Sequence, residues 1–275
     1  MSSPSPAVSA TPAEILAALD DGRLRAARPD PSALGGWRVD PEAKQAILAC
    51  FAERATRDWD LDGVFRFRDR VGLPPKELIT GPRAEAALGA GRPWRIVPGG
   101  TSVRAGVYLG PGVVIMPPSF VNIGAWIGED TMIDSHVLVG SCAQVGARVH
   151  LAAGVQVGGV LEPPGARPVI IEDDAFIGGG CGLFEGILVG RAAVLGAGVI
   201  LTGSSRLYDL VTERVVEGTA GAPLAVPERA VVVPGTRALE SSFAKQHGLA
   251  AATALIVKYR DAGTDARVAL EGVLR

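Results

Sequence analysis

The chain's groups able to do chemistry are a glycine-rich run with one carboxylate, three histidines, three cysteines and one hydroxyl-rich segment. The run, "FIGGGCGLFEG" (176–186), carries Glu185 near its end. Glycines at this density can cradle phosphates, but that use needs a strand before the loop and a helix after it. No βαβ pattern surrounds this run, so dinucleotide binding is not expected. His136 and His150 lie 14 residues apart and His247 far beyond them, which disfavours a three-histidine zinc site, and no metal is expected. Imidazole titrates near neutrality, which makes His136 a candidate general base. "GSSRLYD" (203–209) presents Ser204 and Ser205, with Arg206 to add charge toward phosphates.

These groups sit on a repeat. Stepping by six from Val103 to Val157 meets ten aliphatic residues in ten positions, and two places before each stands a small, hydroxylated or β-branched residue. The register breaks at "GGVLEPPGARPV" (158–169), where prolines and glycine eject a loop. It resumes two residues out of phase, with Ile171, Ile177, Leu183, Val189, Leu195 and Leu201 again aliphatic. A period of six suits neither an amphipathic helix nor a long strand; it suits a short strand and a tight turn repeated around a solenoid. Ile177 and Leu183 fall on the inward column, so the glycine-rich run is one more coil. Cys142 and Cys181 occupy or adjoin the small inward columns and read as core packing rather than nucleophiles.

Before the solenoid, two helices are expected. One covers 12–27 behind Thr11-Pro12, and the other starts at Asp40 with Pro41 in its first turn. The predicted division is a disordered tail (1–11), a helical N-terminal domain and linker (12–98), a solenoid of five to six coils (99–205) and a C-terminal cap (206–275). The last coil needs that cap, because its apolar cross-section would otherwise face water. Net charge is −2, from 27 basic and 29 acidic residues, without a dense cationic run, so neither nucleic acid nor an anionic membrane is an expected partner. "MSSPSPAVSATP" lacks the cationic start and apolar core of a signal peptide, and no window reads as a membrane helix. With cysteines too few and scattered for a disulfide framework, a cytoplasmic location is expected.

Three hexapeptides per triangular turn resemble the left-handed parallel β-helix of the hexapeptide acyltransferases. "WRIVPGG" (94–100), "MPPSFVNIGA" (116–125), "GSCAQVGARVHL" (140–151), "GGVLEP" (158–163), "VIIEDDAFIGG" (169–179) and "GSSRLYD" narrow the resemblance to the tetrahydrodipicolinate N-succinyltransferases, over nearly the whole chain. The resemblance implies a mainly β fold and a homotrimer, with succinyl-CoA in the groove between subunits as co-substrate and no permanently bound cofactor. It implies acyl transfer to the amine of a dicarboxylic amino acid in the lysine and diaminopimelate pathway. By the same resemblance Arg95 binds substrate and Asp134 in "TMID" is the essential aspartate, the alternative being that Asp134 only caps a corner. The turn at Ser204, Ser205 and Arg206, which follows the last coil, either meets the pantetheine or phosphates of CoA or is a polar loop leaving the solenoid.

Two departures stand out. Relatives read "IGARSEVVEG" where this chain has "IGGGCGLFEG", so Gly180 replaces an arginine and Gly182 a catalytic glutamate; Glu185 is a candidate substitute. His136 stands where relatives carry tryptophan, two residues past Asp134 and on the same side of a strand by spacing. It is either a general base or a filler of the space tryptophan leaves. Three functions therefore stand open: succinyl transfer, a divergent enzyme using acetyl-CoA or another donor on a related amino acid, and a trimeric scaffold without catalysis.

Overall fold

A computed structural model describes residues 10–61, 63, 65–77, 92–219 and 221–265. The N-terminal tail before Ala10, residues 78–91 of the linker and the terminal "ARVALEGVLR" (266–275) lie outside the described residues.

The centre of the chain is a three-sided, left-handed parallel β-helix. Each side is a stack of two-residue strands. Face 1 runs from Ser102–Val103 to Ile200–Leu201, face 2 from Tyr108–Leu109 to Ala225–Val226, and face 3 from Arg95–Ile96 through Val194–Leu195. Partners on a face lie 18 residues apart, as in Trp126↔Gln144 and Leu138↔Gln156. One coil is therefore three hexapeptides. The second residue of each strand points inward: Ile115, Ile133, Leu151, Ile177 and Leu195 form one fully buried column. Each such side chain contributes roughly 1.5–3 kcal/mol by leaving water. Buried hydroxyls in the small columns are paired one coil away, for instance Thr131 Oγ1 donating to Gly146 O at 2.8 Å.

The expected loop is present. Pairing jumps to 26 residues at His150↔Phe176, so 8 residues beyond the 18 leave the coil between Gly158 and Val169. A second excursion follows Leu201, where Arg206–Asp209 and Arg214–Glu217 form an antiparallel hairpin. The columns then continue beyond residue 205 through Ala225–Val226 and Val231, which pairs with Val194. The strand Ala230–Ala238 leaves the helix to pair with Ala250–Tyr259, and this sheet extends face 3 to the hairpin.

Helices α1 (Pro12–Asp20) and α2 (Pro41–Ala52) start where expected, under a Thr11/Glu14 capping box and an Asp40 cap. But α1 stops at Asp20 rather than reaching 27: Gly22 turns the chain at φ 79° and Ala27 already lies in a strand. The helices alternate with two hairpins that add to the expected elements: β1 (Ala27–Pro29) with β2 (Trp37–Val39), and β3 (Thr56–Leu61) with β4 (Phe65–Arg70). Ile15, Leu19 and Ile47 pack on Ile123 and Cys142 at the corner between faces 1 and 2. On face 2, the Arg25 guanidinium lies 3.8 Å from the Trp126 ring centre and donates from Nε to Gln144 Oε1 at 2.7 Å. Burial lowers its pKa to about 10.

Candidate functional site

The strand leading to Asp134 ends at Ile133, and Asp134 to Val137 turn the corner from face 3 to face 1. His136 is therefore not on the same side of a strand as Asp134. With strands two residues long, the second residue after Asp134 already occupies the turn, at φ 62°. Its column neighbours at this corner include Gly154, Gly180 and Gly198, all at positive φ. His136 thus holds a glycine-type position, with its amide donating to Pro118 O at 2.6 Å and its ring exposed. An exposed ring fills no buried space.

Asp134 is half-buried and well fixed. Its amide donates to Leu151 O at 2.9 Å, its carbonyl accepts from Ser119 Oγ at 2.8 Å, and Oδ1 accepts from the Ser135 amide at 2.7 Å. One carboxylate oxygen thus caps the corner. Arg95 is exposed and opens face 3; it pairs with Val114, which pairs with Met132. Asp134 follows Met132 by two residues, so Arg95 lies two strand spacings, about 10 Å, along the axis.

Glu185 and the serine turn meet at a different corner, between faces 1 and 2. Glu185 Oε2 accepts from the Gly203 amide at 3.1 Å. Ser205 Oγ accepts from the Thr202 amide at 2.9 Å, Ser204 Oγ lies 3.2 Å from Thr202 Oγ1, and Arg206 pairs with Glu217 at 2.8 Å. Within one chain, the Asp134/His136 corner and the Glu185/Ser204 corner are thus separate. They edge the same face, which exposes Leu138 and Ile200, 36% and 55% accessible.

The departures in the glycine-rich run have different consequences. At Gly180 a Cβ would meet open space, but φ is 67°. At Gly182, which has no positive φ, a Cβ would stand 2.6 Å from Phe184 Cε2 and 2.9 Å from Ile200 Cδ1. The Phe184 ring occupies the room a side chain at 182 would use. Burial pushes the Cys142 thiol up to about 12 and raises that of Cys181, whose Sγ donates to Gly196 O at 3.1 Å. His150 is buried edge-on to Phe176, centroids 5.0 Å apart.

Sequence inspection passed over Lys44. Its side chain is wholly buried, and Nζ donates to Pro163 O at 3.2 Å and Ala166 O at 2.8 Å. A signal existed, since Lys44 falls within the buried stripe Ala43, Ala46, Ile47 and Cys50 of α2.

A three-sided coil of hexapeptides is the fold of the hexapeptide acyltransferases; here, among the described residues, polar clusters at two corners flank an exposed face. A family profile described as "Hexapeptide repeat of succinyl-transferase" matches residues 168–203. Among similar proteins, the 2,3,4,5-tetrahydropyridine-2,6-dicarboxylate N-succinyltransferase of Polynucleobacter asymbioticus is 40% identical over 95% of this chain and 87% of its own. Those of Idiomarina loihiensis (40% identical, 94% and 85% covered) and a Methylobacterium (41%, 94% and 87%) are comparable. The chain belongs to the 2,3,4,5-tetrahydropyridine-2,6-dicarboxylate N-succinyltransferase family.

Proposed function

We propose that this chain is a cytoplasmic, homotrimeric acyltransferase that moves a succinyl group from succinyl-CoA to the amino group of a dicarboxylic amino acid derived from 2,3,4,5-tetrahydropyridine-2,6-dicarboxylate. The family relationship supports the reaction class. The observation that carries the arrangement is the uncovered face 1, with Asp134 and His136 along one edge and Glu185 and Ser204 along the other. In a cyclic trimer each copy offers one patch to a different patch of the next. Laying face 1 against a neighbour brings the acceptor corner of one copy toward the donor corner of another and covers Leu138 and Ile200.

The chemistry then divides among these residues. Arg95 holds a substrate carboxylate. Asp134 Oδ2 takes the proton from the attacking amine, with Oδ1 kept on Ser135 N–H, and the exposed His136 passes that proton to water. The amine nitrogen bonds to the thioester carbonyl carbon, the C–S bond breaks, and CoA leaves as the thiolate, which takes a proton back from water to give the thiol. The Ser204 hydroxyl meets the donor, and Arg206 exchanges Glu217 for a phosphate.

The second reading, a divergent donor or acceptor, is favoured by the Phe184 ring over Gly182, where relatives carry a carboxylate. An enzyme lacking that acid/base group suits an acceptor that is already an open-chain amine. The test is thiol release with succinyl-CoA and acetyl-CoA against the cyclic dicarboxylate and an open-chain 2-amino dicarboxylate, in the wild type and in Asp134→Ala. Rapid succinylation of the cyclic acid sinks the divergent reading; unchanged turnover in Asp134→Ala sinks the assigned role of Asp134. A wild type inert with every donor leaves the scaffold.

A further inference from the structure

A wholly buried lysine ammonium is costly unless its hydrogen bonds are met. Lys44 meets them on backbone carbonyls of the loop between Gly158 and Val169, Pro163 O at 3.2 Å and Ala166 O at 2.8 Å. The loop is tied a second time at its far end, where Arg167 donates to Gly186 O at 2.8 Å and Pro223 O at 2.9 Å. These two cations hold a segment that has left the coil and has little core of its own: Glu162, Pro163 and Gly165 are exposed.

What the loop encloses gives this anchoring its purpose. It walls a cavity of about 550 Å³ together with Trp37 of β2, Pro223 and Glu185. Glu185 in turn accepts from the Gly203 amide at 3.1 Å, which joins the cavity to the turn holding Ser204 and Ser205. Lys44 of α2 thus reaches, through the loop it holds, a wall of the cavity beside Glu185.

We infer that Lys44 is a positioning residue for acyl-CoA binding: its ammonium, held on Pro163 O and Ala166 O, keeps the 158–168 loop closed around the cavity at Glu185. This rests on the acyl-transfer reading above. Lys44 touches neither donor nor acceptor and acts only through the loop. Burial lowers its pKa below the ordinary lysine value, so the two carbonyl bonds are what favours the ammonium against that cost.

The experiment uses the full-length protein and the Lys44→Met variant, which keeps the length of the side chain and removes the charge. The expected result is a KM for succinyl-CoA raised roughly tenfold with kcat within about twofold, because an unmade charged hydrogen bond loosens the loop and not the chemistry. Amide hydrogen exchange across 160–167 should quicken in parallel. A wild-type KM with unchanged loop exchange would overturn the proposal. Should the variant not fold, exchange in the wild type decides: CoA should slow the loop amides, and unaltered exchange at saturating CoA overturns the assignment. Lack of turnover in the wild type is a separate result, which overturns the acyl-transfer reading itself.

Discussion

Adding one methyl group at Gly182 separates two kinds of glycine in the same coil. In Gly182→Ala the new Cβ would lie 2.6 Å from Phe184 Cε2 and 2.9 Å from Ile200 Cδ1, well inside contact distance. The backbone there is not left-handed, so the penalty is steric alone. Both obstructing atoms are ends of side chains, and the ring can swing outward at the loss of part of its buried area; we expect a cost of about 1 kcal/mol, at the low end for overpacking. In a Phe184→Val background the nearer obstruction is gone and only Ile200 Cδ1 at 2.9 Å remains, so the same substitution should cost roughly half as much, about 0.5 kcal/mol. Gly180→Ala is the control: φ is 67° with nothing within 4 Å, so its cost of roughly 1–2 kcal/mol is backbone strain and should be blind to Phe184. Guanidinium unfolding of the four proteins in each cycle, at one protein concentration, reads both couplings. The reasoning fails if Gly182→Ala costs the same with and without the Phe184 ring, or if Gly180→Ala couples to it as strongly.

Asp209 is 2% exposed; burial alone would raise its pKa, but bonds from Thr212, Tyr259 and the Val211 amide outweigh that and hold it at about 2. A depressed carboxylate stabilises above its unfolded pKa and loses that contribution as pH falls. Wild type should therefore shed about 2 kcal/mol between pH 4 and 2, and Asp209→Asn should show a flatter acid limb; equal slopes would contradict this. All three cysteines are buried, with Cys50 and Cys142 pushed to about 11 and 12, so a thiol reagent at pH 8 should label none of them in the native protein and all three in denaturant. Fast native labelling would show the coil core to be open.

The solenoid was legible because inward residues recur at a fixed step, and the period survives an excursion if the phase is allowed to jump. It was lost after Leu201 because the second excursion is itself a hairpin, and only Val226 and Val232 mark the return to the columns. The first N-terminal hairpin was not legible because β1 and β2 are three residues long and show no alternation; the second did carry a trace, the alternation of "FRFRDR" and the Asp62-Gly63 pair between its strands. Asp134 was found through resemblance, whereas the place of His136 depended on where a two-residue strand stops. Its positive φ had a faint sequence trace, since the residues stacked beyond it at that corner are Gly154, Gly180 and Gly198. The split of the candidate residues between two corners was not legible, because period alone does not say which corner a turn occupies. Lys44 was hidden by its type: a lysine in a capped helix reads as solvated until the loop above it is placed.

The central claim is acyl transfer to an amine assisted by the Asp134 carboxylate, and single-turnover thiol release measures it most directly. With succinyl-CoA and an amino dicarboxylate, the wild type should release thiol in step with amide formation. Asp134→Ala should lower kcat by roughly 10²–10⁴-fold, the range for a lost general base, with the KM for succinyl-CoA little changed. Wild-type rates in Asp134→Ala would contradict the account.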